Sequence, residues 1–333
     1  MNEMTVRKIV HLESSSIGRD ISLDCFREFG EFICYPEADF AKTEERIGDA
    51  EIVLINKTPM NAVSLRHADR LKLICEMATG YDNVDIDYCR SRGIAVVNAG
   101  HYSTTAVAQH TFGLALYLLE KLHYYDTFVK SGAYGRQGNF TFFDRPIIEL
   151  DGCVWGIAGM GEIGRRTADI ASAFGCRVIS WSPSGKPAGT EERTPGGTPF
   201  TRVDFDTFLR TSDVVSVHCP LSGRTRHLFN DEAFGKMKPT AVLINVARGP
   251  IVDEKALYRA LTGDLIAGAG LDVLEREPMR ENNPLKEITD SGKLIITPHN
   301  AWASVRAREK DVKITYDNIR SYLSGGTLNR VDL

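Results

Sequence analysis

Three residues of complementary chemistry follow apolar runs in the second half of the chain. Arg248 comes after Asn245-Val-Ala, Glu277 stands before Pro278, and His299 follows Thr297-Pro298. A histidine titrates near neutral pH, so it can give or take a proton at a reacting oxygen. A neighbouring glutamate favours the imidazolium. Arginine is permanently charged and presents a planar fork that grips a carboxylate. The three suit an acid carrying a hydroxyl or carbonyl beside its carboxylate. Arg248 would hold the acid, protonated His299 would serve reduction and neutral His299 oxidation. Taken singly, each has a structural alternative: a satisfied histidine, a turn-capping arginine, a solvated glutamate. Glu275 lacks the following proline and reads as surface. His11, His67, His110, His123, His218 and His227 receive no part in this chemistry.

A second motif supplies context. Gly159-Met160-Gly161-Glu162-Ile163-Gly164 lies between an apolar strand-like run, Val154–Ala158, and a helix-like stretch, Glu162 to Phe174. A further strand, Arg177–Trp181, closes a unit of the size expected for dinucleotide binding. Gly159 would allow the tight turn, Gly161 the approach of backbone to a pyrophosphate, and Gly164 close packing of helix on strand. Amides at the helix start attract the phosphate charge. The acidic residue expected for a ribose 2′-hydroxyl is missing, because the position reads Trp181-Ser182-Pro183-Ser184. Ser182 can hydrogen-bond a ribose without repelling a 2′-phosphate, Lys186 is near enough to reach one, and no Arg sits beside Ser182 in the sequence. NAD(H) and NADP(H) therefore both stay open.

These residues need a scaffold, and the chain supplies an α/β pattern. Short apolar runs at Lys8–Leu12, Ile52–Ile55, Leu71–Cys75 and Ile94–Val97 alternate with helix-like stretches at Phe40 to Ile47 and Asp87 to Arg92. After the glycine loop, strands are expected at Val214–Val217, Ala241–Asn245, Ala267–Leu271 and Leu294–Thr297, with a helix over Asp253 to Leu261. Such alternation predicts parallel sheets. A nearly apolar helix is expected over Thr104 to Tyr125, a packed loop over Tyr134 to Asp144, a surface loop over Ser182 to Thr201, and a charged amphipathic helix over Ala303 to Leu323.

The length of 333 residues suggests two domains. With 40 Lys and Arg against 44 Asp and Glu, net charge is −4, which argues against a whole-protein grip on nucleic acid. Seven scattered cysteines form no C-x-x-C pair, so no metal site is signalled, and they fit reduced thiols in a cytoplasmic protein. Met1–Met4 does not begin a signal peptide. Gly93 to Leu119 has no Asp, Glu, Lys or Arg, but its middle is polar and its apolar remainder is too short to span a bilayer.

Taken together, Gly156-Ile-Ala-Gly-Met-Gly-Glu-Ile-Gly164, His218-Cys-Pro-Leu221, Asn245-Val-Ala-Arg-Gly249, Gly270-Leu-Asp-Val273 with Glu277-Pro278, and Thr297-Pro-His299 make the chain resemble the D-isomer-specific 2-hydroxyacid dehydrogenase family over nearly its whole length. The resemblance implies two Rossmann-like domains with doubly wound parallel sheets and a deep interdomain cleft. It places a substrate-binding domain at 1–101 plus 298–333 and a dinucleotide-binding domain at 102–297. It assigns Arg248 to the substrate carboxylate, His299 to acid/base work, Glu277 to that histidine, and Asp272 to the nicotinamide carboxamide. Met160, Gly161, Glu162 and Ile163 would surround the pyrophosphate. His218, Cys219 and Pro220 would line the adenosine side, and Val246 and Ala247 the nicotinamide side. In the first domain, Asn56-Lys57 and Ala78-Thr79-Gly80 would meet the substrate, and Trp302 would either wall the pocket or join the core. The implied partners are a small D-2-hydroxy or 2-keto acid, foremost D-glycerate/hydroxypyruvate or glyoxylate, and a second copy bound through the dinucleotide domain. D-lactate or a larger keto acid is the alternative substrate, and a dinucleotide-sensing corepressor-like protein the alternative class. Ser182 for the frequent Asp, and Asn300 for an apolar residue, are the departures.

Overall fold

A computed structural model describes residues 7–185 and 187–333, so Met1–Met4 and Lys186 lie outside the described residues. The chain forms two compact units, Met1–Ser103 with Ala303–Leu333, and Thr104–Trp302. The return to the first unit falls at Ala303 rather than 298, which leaves His299 within the second.

In the first unit, β1 (Lys8–His11), β2 (Glu31–Cys34), β3 (Ile52–Ile55), β4 (Leu73–Glu76) and β5 (Ala95–Asn98) form a parallel sheet in the order β2-β1-β3-β4-β5. All four residues of β3 and of β4 are buried, as required of strands covered on both faces. The C-terminal helix, Val305–Leu323, is capped by the Ser304 hydroxyl and buries Val312 and Ile319 against this sheet. The exposed Arg306, Glu309, Lys310 and Lys313 form a solvated face, but Asp311 is buried.

In the second unit, β6 (Val154–Ala158), β7 (Arg177–Trp181), β8 (Glu191–Arg193), β9 (Pro199–Arg202), β10 (Val214–Val217), β11 (Val242–Asn245), β12 (Gly268–Leu271) and β13 (Leu294–Ile296) run in the order β13-β12-β11-β10-β6-β7-β9-β8. Only the β8–β9 pair is antiparallel among the described residues. The Thr104–Leu119 helix covers one face, where Phe112 stacks on the fully buried Trp155 at 4.4 Å between ring centres. A side chain at Gly270 of β12 would come within 2.9 Å of Leu114, so glycine there lets helix and sheet approach.

Two expectations are corrected. The helix predicted over Thr104 to Tyr125 stops at Leu119 and resumes over Leu122–Lys130, because Lys121 takes a left-handed conformation, φ 55°. The loop predicted over Ser182 to Thr201 contains the β8–β9 hairpin, turned by Pro195-Gly196-Gly197 and anchored by the inward ring of Phe200.

Candidate active site

The glycine loop joins β6 to the Glu162–Ala173 helix. Gly159 has φ 101°, and a Cβ there would stand 2.7 Å from the backbone nitrogen of Cys219. A Cβ on Gly164 would meet the Gly159 carbonyl at 2.2 Å. Gly161 differs: nothing lies within 4 Å of its missing side chain, and as N-cap it offers no group to the first helical turn. The loop is therefore closed where helix must meet strand and open where a pyrophosphate would approach, which fits a dinucleotide. His218 follows β10, and its amide donates to the Ala158 carbonyl at 2.8 Å. Burial pushes its imidazole down to about 3, so the ring is neutral. Both ring nitrogens are shielded from solvent and lack a hydrogen-bond partner among the described residues.

At the other side of the same sheet, β11, β12 and β13 are consecutive parallel strands, and the three reactive residues leave their carboxyl ends. Ligands of such sheets bind there. Asn245 shapes the turn to Arg248: its amide nitrogen donates to the Arg248 carbonyl at 3.0 Å, and its oxygen accepts from the Ala247 amide at 3.1 Å. Gly249 leaves no room for a side chain, because a Cβ would overlap the Leu274 backbone. Glu277 uses one carboxylate oxygen to accept the Leu274 amide at 2.9 Å, and its other oxygen is 2.7 Å from His299 Nδ1. That bond leaves Nε2 of His299 as the nitrogen for a substrate. The ring is 23% exposed, sheltered but reachable.

Asp272, directly after β12, is 1% exposed and organises the segment carrying His299. One oxygen accepts the Thr297 hydroxyl at 2.6 Å and the Asn300 amide at 2.9 Å, and the other accepts the Ala301 amide at 2.8 Å. Its carbonyl accepts the His299 amide at 2.8 Å. These bonds hold His299 in a left-handed turn, φ 53°, a conformation uncommon for residues other than glycine. The Trp302 indole donates to the His299 carbonyl at 2.9 Å, so it steadies the same turn. Asn300 points to solvent while its amide serves Asp272. His110, which sequence reasoning passed over, places Nε2 3.0 Å from the Thr297 hydroxyl and 3.5 Å from Asp272. Glu275 is exposed as expected, yet it accepts the Glu254 amide and sits 3.1 Å from His227 Nε2.

In the first unit, Asn56-Lys57 and Ala78-Thr79-Gly80 follow the adjacent parallel strands β3 and β4. One oxygen of Glu13 accepts the amides of Asn56, Lys57 and Thr58 at 2.7, 2.7 and 2.8 Å. Sequence reasoning missed Glu13, although its place just beyond β1 was a signal. The Asn56 side chain donates to the Met77 carbonyl, and Asn98 donates to that of Thr79, so the two turns are braced.

Residues 112–301 match the model of the D-isomer specific 2-hydroxyacid dehydrogenase NAD-binding domain. The chain is 34% identical over 329 residues to a hydroxypyruvate reductase of Blautia hydrogenotrophica, covering 98% of this chain and 99% of that one. It is 36% identical over 330 residues to a glycerate dehydrogenase of Methylorubrum extorquens, with the same coverage. Among solved structures, it is similar to a D-lactate dehydrogenase of Aquifex aeolicus complexed with NAD and lactic acid. The TM-score is 0.83 and the identity 27%, across 98% of this chain and 99% of the other.

Proposed function

The chain belongs to the D-isomer specific 2-hydroxyacid dehydrogenase family, an NAD(P)-dependent oxidoreductase family, and we propose that its substrate pair is D-glycerate and hydroxypyruvate, with glyoxylate as a second keto acid. The observation that carries the chemistry is the 2.7 Å contact of Glu277 with His299 Nδ1. The nicotinamide, when bound, supplies or accepts the hydride. His299 Nε2 donates a proton to the substrate carbonyl oxygen in reduction and takes it back in oxidation. Glu277 fixes the ring's orientation and stabilises the imidazolium. Arg248 holds the substrate carboxylate, and Asp272 keeps the His299 turn in place and faces the carboxamide. Asn56, Lys57, Thr79 and Gly80 are the substrate-binding residues of the first unit in this reading. Met160, Gly161, Glu162, Ile163, Gly164, Ser182, Cys219, Pro220, Val246 and Ala247 contact the dinucleotide, with His218 on the adenosine side.

The two relatives matched over nearly their full lengths are named for hydroxypyruvate and glycerate, which supports this pair over D-lactate. The test is NADH and NADPH oxidation at 340 nm with hydroxypyruvate, glyoxylate, pyruvate and a bulky keto acid. Fastest turnover on hydroxypyruvate is expected. Activity only on a larger acid would change the substrate, and no turnover despite cofactor binding would favour a dinucleotide sensor. The exposed Leu122, Val129, Phe140, Phe143 and Ile147 form an apolar stretch that supports a homodimer through the second unit, checked by light scattering. All seven cysteines are free thiols, which supports a reducing, cytoplasmic setting.

A further inference from the structure

The position where a carboxylate would choose NAD(H) is held here by two serines and, through the fold, by an arginine. β7 ends at Trp181, whose carbonyl accepts the Gly159 amide at 3.0 Å, so this strand end abuts the glycine loop. An adenosine ribose bound by that loop lies beyond it. From Ser182 to Thr190 the chain carries no Asp or Glu. The hydroxyls of Ser182 and Ser184 lie 2.7 Å apart. Over this turn stands Arg224, 41 residues further along, whose Nη1 donates to the Pro183 carbonyl at 3.3 Å.

The arginine is held in place by its own turn. The Thr225 hydroxyl donates to the Pro220 carbonyl at 2.7 Å, the Ser222 amide donates to that hydroxyl at 2.8 Å, and the Arg226 amide closes on the Ser222 carbonyl at 2.9 Å. The other end of this turn, Cys219, packs against Gly159. One piece of backbone thus borders the glycine loop and delivers a guanidinium to the ribose position. No carboxylate pairs with Arg224 among the described residues. One of its five N–H groups is committed to Pro183, and the rest face solvent on an exposed side chain.

We infer that Arg224, with the hydroxyls of Ser182 and Ser184, forms a site for the 2′-phosphate of the cofactor and makes this chain select NADP(H) over NAD(H). A dianion at this position meets a cation and two neutral donors, and the turn from Ser182 to Thr190 carries no acid to oppose it. A 2′-hydroxyl finds no carboxylate to accept its hydrogen bond. The absence of an arginine beside Ser182 in the sequence is thus made good from another segment.

This inference rests on the nicotinamide-dinucleotide reading above, and equilibrium binding tests the two separately. Tryptophan fluorescence titration of the whole chain would give dissociation constants for NADPH and NADH, and also for adenosine 2′,5′-bisphosphate and AMP, which carry no nicotinamide. NADPH and the bisphosphate are expected to bind at least about 10-fold tighter than their partners, with the preference shrinking as salt rises. Arg224→Ala should cut the NADPH-to-NADH affinity ratio by about 10- to 100-fold, and Arg224→Lys should keep part of it. Ser182→Asp should invert the ratio. An arginine that merely clamps Pro183 would weaken both cofactors alike and leave the ratio intact, and that result overturns the inference, as does tighter NADH binding by the unaltered chain. Failure of both cofactors to bind would overturn the dinucleotide reading itself.

Discussion

Polar groups gather near the carboxyl ends of the strands in both units, and those around Asp272 and those around Glu76 are built on opposite terms. In the second unit, both oxygens of the buried Asp272 are engaged, by the Thr297 hydroxyl and by the amides of Asn300 and Ala301. In the first unit, Glu76 Oε1, Asp311 Oδ2, His11 Nε2 and Thr58 Oγ1 are buried without a hydrogen-bond partner. Burial pushes the Glu76 carboxyl well up and Asp311 up to about 8, and it pushes His11 down to about 3. A satisfied network in low dielectric is rigid, and an unsatisfied one stays neutral and costs stability. Around Asp272 the polar atoms fix a reacting histidine. Glu13 does similar work in the first, but burial raises the pKa of the acids behind it, Glu76 and Asp311.

The largest expected effect comes from breaking the satisfied side at the reacting ring. His299→Ala should lower kcat by about 10²- to 10⁴-fold, the usual range for a general acid–base group. Glu277→Gln should cost less, because the ring remains and only its orientation and charge support weaken. Steady-state rates with hydroxypyruvate and NADPH measure both. Equal turnover in His299→Ala and the parent would remove the acid/base assignment.

The next effect is mixed. Asp272→Asn keeps the shape but turns an NH₂ group toward one of the donors from Thr297, Asn300 or Ala301. Urea unfolding should show a loss of about 1–3 kcal/mol, as for a buried donor left without an acceptor. Turnover should fall as well, because the left-handed turn at His299 loses its anchor. Lost stability with unchanged kcat would show that Asp272 supports the fold but does not position the ring.

What was legible in the sequence follows from the same physics. Strands β3, β6, β7 and β10 have the predicted bounds, because strands covered on both faces are dominated by apolar residues. β2, Glu31–Cys34, buries only Phe32 and carries no such signature. The break at Lys121 has no glycine or proline to mark it. At the site, Arg248, Glu277 and His299 could be chosen by chemical type and position after strands. The bonds that hold them could not, because Asp272 reaches residues 25 to 29 positions away. Arg224 was illegible for the same reason: its relation to Pro183 exists only once the sheet brings the two loops together.

The smallest effect tests the unsatisfied side. An unfolded aspartate ionises near pH 4, whereas Asp311 holds its proton up to about 8. Between those values the unfolded chain releases a proton that the folded chain keeps, so rising pH favours unfolding. The stability associated with this group is fully present below about pH 4 and is lost by about pH 8. His11 acts in the reverse sense, but only below about 6.5, where its unfolded ring takes a proton and the buried one does not. The window from pH 6.5 to 8 therefore isolates the acids. There the unfolding free energy of the parent, measured by urea titration, should fall with pH, by at most about 1.4 kcal/mol per unit for one group. Asp311→Asn should flatten that slope. An unchanged slope would mean that Asp311 is already ionised in the folded chain, and the contrast between the two units would lose its electrostatic half.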